Sequence, residues 1–217
     1  MRFRVATVVS GRGSNLAALL RALGDSGPAR VVLVISDRAG AGGLAIAARH
    51  GIPTHVLNDT ADTAEWRRVL ARARADLVVL AGFLKRVPDR IVAEYRGRII
   101  NVHPALLPRH GGPGMYGRRV HEAVLRAGET RSGATVHLVT EEYDAGPVLG
   151  QASVPVLPDD TPDTLAARVL TVEHRLLPAA VLAAAEAGGP VKFTLEESGV
   201  RIQDSAPLTP SSLTPDS

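Results

Sequence analysis

The sequence has no cysteine in its 217 residues. That excludes a disulfide scaffold, a thiolate nucleophile and a cysteine-based zinc site, and it fits a reducing compartment. Aromatic residues make up only 3% of the chain, so Leu, Val, Ile and Ala must fill the core. Lysine is nearly absent, occurring only at Lys85 and Lys192, and almost all the basic charge is arginine. No apolar run approaches the roughly 20 residues needed to span a bilayer. The start, Met1-Arg2-Phe3-Arg4-Val5, has no signal-peptide h-region. These absences give the expectation of a cytoplasmic protein with no membrane partner.

What is present is ordinary for a globular protein, with 45% hydrophobic and 22% charged residues. The length suits one large domain with a substantial core. A pI of 9.8 suggests a nucleic-acid partner, but the net charge is only +3. A small excess of arginine sets such a pI without building a strong field. The densest basic cluster, Arg67, Arg68, Arg72 and Arg74, sits among Ala and Leu at helical spacing and reads as a solvated helix face. No nucleic-acid partner is expected.

Through the first half, short β-branched runs alternate with helical stretches. Strands are predicted at Phe3 to Val9, Val31 to Ile35, Thr54 to Leu57, Leu77 to Leu80 and Ile99 to Val102. Helices are predicted at Leu16 to Leu23, Leu44 to His50, Ala64 to Ala75 and Pro88 to Tyr95, the last with Pro in its first turn. This rhythm predicts an α/β fold built on a doubly wound, mostly parallel sheet. Beyond it come a Gly-rich loop at Arg109 to Gly117, a helix from Arg118 to Ala127, and strands at Ala134 to Thr140 and Val148 to Val156. A long helix at Thr164 to Ala187 follows, which Pro178 should kink or break. Val191 to Phe193 and Val200 to Ile202 read as a closing hairpin. One domain over residues 1–203 is expected, followed by a disordered Ser/Thr/Pro-rich tail at 204–217.

Three places carry candidate chemistry. The first βα turn, Ser10-Gly11-Arg12-Gly13-Ser14-Asn15, brings backbone N–H groups to a helix N-terminus, where a single phosphate would sit. It is neither a dinucleotide fingerprint, since Leu16 takes the third glycine position, nor a Walker A loop. A tight turn with an N-cap explains it equally well. The second is Asn101-Val102-His103-Pro104. Residues two apart on a strand share a face, so an amide and an imidazole meet at the carboxyl edge of the sheet, where open α/β sheets bind ligands. Such a pair suits an oxyanion, although a lone histidine at a strand end is more often structural. The third is the acidic loop Glu141-Glu142-Tyr143-Asp144, a solvated turn unless an acid reaches His103. No metal is expected, because the seven histidines form no His-x-x-x-His pair. There is no Gly-x-Ser-x-Gly elbow.

Four strings occur in order: Ser10-Gly11-Arg12-Gly13-Ser14-Asn15-Leu16, Leu80-Ala81-Gly82-Phe83, Asn101-Val102-His103-Pro104-Ala105-Leu106-Leu107-Pro108 and Asp144-Ala145-Gly146-Pro147-Val148. Together they resemble the folate-dependent phosphoribosylglycinamide formyltransferases, over about residues 3–190. The resemblance implies a Rossmann-like fold with C-terminal strands and a long helix. It implies a nucleotide-binding half at about 1–100 and a folate and catalytic half at about 101–203. The implied activity is formyl transfer from 10-formyltetrahydrofolate, a co-substrate, to the amine of glycinamide ribonucleotide in purine biosynthesis, without a metal. The partners are then small molecules, and a homodimer is left open.

By the same resemblance, Asn101, His103 and Asp144 match the catalytic trio, with Asp144 keeping His103 protonated. Gly13, Ser14, Asn15 and Glu173 match contacts to the ribonucleotide. Leu84, Lys85, Arg86, Val87, Asn101 and the segment Thr140, Glu141, Glu142, Tyr143 and Asp144 match the folate pocket. The loop His110 to Gly117 is longer than the usual family version. Methionyl-tRNA formyltransferase shares several strings but adds a C-terminal domain for which too few residues remain here. Formyltetrahydrofolate deformylase adds an N-terminal domain that a first strand at Phe3 leaves no room for. From other classes, a binding module would explain Ser14 and Asn15 but not the trio, and the missing third glycine disfavours a dinucleotide oxidoreductase.

Overall fold

The computed structural model describes residues 2–196 and 199–202. Five strands, β1 (Phe3–Val9), β2 (Ala29–Ser36), β3 (Thr54–Val56), β4 (Leu77–Leu80) and β5 (Ile99–His103), alternate with four helices. The helices are α1 (Ser14–Leu23), α2 (Gly42–Arg49), α3 (Thr63–Ala73) and α4 (Asp89–Glu94). Then come α5 (Arg118–Arg126), β6 (Arg131–Leu138), β7 (Val148–Pro155) and α6 (Pro162–Ala187), and a small antiparallel pair, β8 (Phe193–Glu196) and β9 (Gly199–Ile202). Seven strands form one sheet in the order β3-β2-β1-β4-β5-β6-β7. The first five run parallel, and β6 and β7 are antiparallel to their neighbours.

Both faces of the sheet are covered, which is why its central strands carry no polar alternation. Val5 and Val9 of β1, with Leu77 and Val79 of β4, pack on one face with α1 and α6. Ala6 and Val8, with Val78 and Leu80, pack on the other against Trp66 and Leu70 of α3 and Ile91 of α4. The strand order reverses between β1 and β4, so a crevice opens beyond their carboxyl ends. Two hydrogen bonds tie the loops there: Ser10 N–H donates to the Gly82 carbonyl at 3.1 Å, and Leu84 N–H donates to Ser10 Oγ at 2.9 Å.

The elements agree with the sequence reading in kind and order. Pro88 is the N-cap of α4 rather than its first helical residue. Pro178 does not break the long helix: α6 runs 26 residues without interruption. Proline in a helix interior costs about 3 kcal/mol. Leu176, Leu177, Ala179, Ala180 and Val181, all buried around Pro178, offset that cost, since each fully buried Leu or Val contributes about 1.5–3 kcal/mol. The N-terminus of α6 is fixed by a capping box between Thr161 and Thr164. The segment expected as a disordered tail, 204–217, lies outside the described residues. Among the described residues, no helix is long and apolar enough to cross a membrane.

Candidate active site

The turn after β1 approaches α2 as closely as backbone allows. Gly13 is left-handed at φ 80°, and a Cβ there would lie 2.6 Å from the Cα of Gly43. The first helical bond of α1 runs from Ala17 N–H to the Gly13 carbonyl. The N–H groups of Ser14, Asn15 and Leu16 therefore have no helical partner among the described residues, an arrangement suited to an anion. The Asn15 side chain points elsewhere. Its Nδ2 donates to Glu173 Oε2 at 2.7 Å in a buried contact, so two residues assigned separately to the ribonucleotide are in fact partners. Burial raises the Glu173 carboxyl above its ordinary range, against the lowering effect of the Asn15 bond. Asn15 Oδ1 is buried with no partner among the described residues.

A cavity of about 690 Å³ lies beyond the strand ends, and Arg12, Asn101, His103, Tyr116, His121 and Glu173 are among its lining. Asn101 and His103 come from alternate positions of β5, as the period of a strand requires. His103 is 3% exposed. Its Nε2 donates to the His110 carbonyl at 2.8 Å, which leaves Nδ1 facing Asp144 Oδ2 at 3.5 Å. Burial pulls this imidazole below its ordinary value, and it outweighs the opposing pull of the Asp144 carboxylate and the His110 carbonyl. The expected pull of Asp144 toward the protonated ring is present, and enclosure of the ring works against it.

Asp144 itself stands in the left-handed region at φ 54°. Its Oδ2 accepts the Gly112 N–H at 3.0 Å, and its Oδ1 lies 3.5 Å from Nε2 of His137. Burial pushes the Asp144 carboxyl up, but His137, His103 and the Gly112 N–H together hold it below the ordinary carboxylate range. His137 sits opposite Asn101 in the β5–β6 register. Its Nδ1 donates to the Leu138 carbonyl at 2.8 Å, and its Nε2 lies 3.1 Å from the Asn101 amide nitrogen.

The segments assigned to a folate meet in a second, smaller recess beside the main cavity, lined by Lys85, Arg86, Val87 and the run from Val139 to Asp144. Arg86 bridges the two segments: Nη2 donates to the Glu141 carbonyl at 2.7 Å, and its guanidinium stands 5.8 Å from the Tyr143 ring centroid. Thr140 Oγ1 donates to the Glu142 carbonyl, and Glu141 accepts from Arg96. Leu84 and Tyr143 are exposed large hydrophobic groups, and Leu84 lines the main cavity instead. Asn101 and Asp144 line both spaces.

The family model described as formyl transferase matches residues 3–181. The chain belongs to the formyl transferase family. The chloroplastic phosphoribosylglycinamide formyltransferase of Arabidopsis thaliana is 43% identical over 81% of this chain and 63% of its own length. The trifunctional purine biosynthetic protein adenosine-3 of Drosophila melanogaster is 46% identical over 83% of this chain and 14% of its own length. The chain thus spans less than two thirds of each of these relatives. Among solved structures, the phosphoribosylglycinamide formyltransferase of Anaplasma phagocytophilum superposes with a TM-score of 0.82 at 39% identity, covering 94% of this chain and 95% of that one.

In this formyl transferase the sequence reading missed His137, His121 and Arg12. His137 is visible as a site residue only once the antiparallel register sets it against Asn101. His121, on α5, lines the main cavity with its Nδ1 buried and unpartnered among the described residues. Arg12 belongs to the turn already singled out, where attention to the glycines hid it.

Proposed function

We propose that this chain transfers the formyl group of 10-formyltetrahydrofolate to the amine of glycinamide ribonucleotide, a step of purine biosynthesis, and that Asn101, His103 and Asp144 carry the chemistry. The observation that carries the reading is that Asn101 and Asp144 border both spaces, with the buried His103 beside Asp144. A donor in the recess and an acceptor in the cavity would meet at these three side chains. The names of the plant, fly and Anaplasma relatives support the same substrate and pathway.

The phosphate goes to the N–H groups of Ser14 and Asn15 at the start of α1, beside Gly13, with Arg12 at the cavity wall. Glu173, held by Asn15, receives the glycinamide portion. The pterin lies along Thr140 to Asp144, against Lys85, Arg86 and Val87, with Leu84 on the side of the main cavity. Residues 1–100 then serve mainly the nucleotide and residues 101–203 mainly the folate and the chemistry, on one continuous sheet.

The amine attacks the formyl carbon, and the carbonyl electrons move to its oxygen. The Asn101 amide donates to that oxyanion. The neutral His103 takes up the proton the amine loses, and Asp144 beside Nδ1 favours the imidazolium so formed. The intermediate collapses by breaking the bond to N10, which receives the proton from His103. Atoms and charge balance without a further reactant. The test is a spectrophotometric assay with both substrates on wild type and His103→Ala. We expect folate deformylation that requires the ribonucleotide and falls by about 100-fold or more in the variant. Formyl loss without the ribonucleotide would make water the acceptor and overturn the assignment.

A further inference from the structure

The loop between β5 and α5 touches both members of the His103–Asp144 pair through its backbone; Thr135 and Gln151 hold its first residues, and a carboxylate outside the cavity, Glu129, holds the next two. α5 ends in a Schellman motif: Gly128, at φ 64°, donates its N–H to the Leu125 carbonyl, and Glu129 N–H reaches the Val124 carbonyl. This turn delivers the Glu129 side chain to the start of the loop. There Arg109 Nη1 donates to both of its oxygens at 3.0 and 2.9 Å, and His110 Nε2 lies 3.3 Å from Oε1.

The second contact falls on the residue whose conformation matters most, and the first on its neighbour. His110 is left-handed at φ 56°, a state that costs a non-glycine residue about 1–2 kcal/mol and persists only when its surroundings impose it. Its carbonyl is the acceptor for His103 Nε2. Two residues on, Gly112 N–H donates to Asp144 Oδ2. Between them, a Cβ on Gly111 would lie 3.1 Å from the Cβ of Asp144 and closer still to the Leu107 side chain. The loop therefore has no slack between the imidazole and the carboxylate. Glu129 and His110 are both largely shielded, with side chains 23% and 16% exposed, so their contact is less diluted by solvent than a surface pair.

We propose that Glu129 is a positioning residue, acting through Arg109 and His110 to fix the His103 ring with its Nε2 hydrogen on the His110 carbonyl and its Nδ1 turned to Asp144. The proposal rests on His103 being the reacting histidine. Glu129 does not line the catalytic cavity; it borders a separate one of about 330 Å³ with Arg109, His110 and Ser132. Its action is on geometry.

The experiment compares Glu129→Gln and Arg109→Gln with wild type. One readout is the imidazole nitrogen NMR spectrum of His103, assigned by its loss in His103→Ala. The other is the pH profile of kcat with both substrates. The ionisable groups facing His103 are Asp144 from the β6–β7 loop, His137 from β6, His121 from α5 and His110 from its own loop, and neither variant alters them. We expect both variants to lose the wild-type Nε2–H signal, to lower kcat by about 10- to 100-fold, and to change KM much less. We expect their pH profiles to shift in the same direction. Glu129→Gln removes a negative charge and Arg109→Gln a positive one, so opposite shifts would mean a field effect and overturn the proposal. So would a wild-type Nε2–H signal and kcat in both variants. Arg109 is 72% exposed, so its variant folds even if Glu129→Gln does not. If the wild type does not formylate glycinamide ribonucleotide, the functional reading fails, while the NMR comparison still decides the role of Glu129.

Discussion

Gly13 and Gly11 stand two residues apart in one turn and should respond very differently to the same added methyl group. An alanine Cβ at Gly13 would sit 2.6 Å from Gly43 Cα and 2.9 Å from Gly43 N, both backbone atoms of α2, with φ at +80°. Non-bonded carbons prefer about 3.5–4.0 Å, so α1 and α2 must separate. Overpacking of this kind costs about 1–3 kcal/mol, and the left-handed conformation adds about 1–2 kcal/mol for a non-glycine residue. Relief of unfolded-chain entropy returns only about 0.4–1 kcal/mol. Gly13→Ala should therefore lose about 1–4.5 kcal/mol. At Gly11 the added Cβ meets nothing within 4 Å, and Gly11→Ala should change stability by less than about 1 kcal/mol, in either direction. Urea unfolding followed by Trp66 fluorescence suits the comparison. Trp66 is the sole tryptophan, is fully buried, and lies on α3 across the sheet, so it reports global unfolding. With an m-value of about 2 kcal/mol per molar, the Gly13→Ala midpoint should fall by about 0.5–2 M. A Gly13→Ala midpoint equal to that of Gly11→Ala would refute the steric argument.

Two further outcomes follow from the buried ionisable groups. His103, His121 and His174 all lie below the ordinary imidazole value, with burial the largest cause. The unfolded chain then binds more protons, so their contribution to stability is present above about pH 6.5 and is lost as pH falls below it. Asp144, held low, adds its own loss only as pH falls below about 4. Calorimetric Tm should drop between pH 7.5 and 5.5, and a flat profile there would contradict the assigned directions. Glu173 has the opposite sign: its raised carboxyl costs stability once pH rises above the ordinary carboxylate range. Glu173→Gln should stabilise the protein by about 1 kcal/mol at pH 7.5 and lose that advantage below about pH 4.5, while weakening ribonucleotide binding in calorimetric titration. A less stable variant at pH 7.5 would show that the Asn15 contact needs the charge.

The sheet and its helices were legible because covered parallel strands and amphipathic helices leave periodic marks and because Gly and Pro punctuate them. β6 begins at Arg131 rather than Ala134 because it pairs with β7, where Arg131 opposes Pro155, and pairing across a sheet leaves no local trace. Pro178 misled for the same reason, since the burial that sustains α6 around it is tertiary. At the site, period two placed Asn101 and His103 together, whereas the acidic loop offered three acids and only family likeness singled out Asp144 among them. The His137–Asn101 contact depends on register, and the Asn15–Glu173 contact joins residues 158 apart. The downward direction at His103 depends on how completely the fold encloses the ring, which sequence does not state.

That last separation also sets an order of events in synthesis. Asn15 is made 158 residues before Glu173, which at about 5–20 residues per second is roughly 8–30 s. Throughout that interval the first turn of α1 exists without the side chain that holds its amide, and the helix that will cover it is unwritten. The parallel strands can pair and their loops can close in the meantime. The Glu173 wall of the cavity is nonetheless finished by the last long element among the described residues, so a nascent chain passes from incomplete to complete in one late docking step, the arrival of α6.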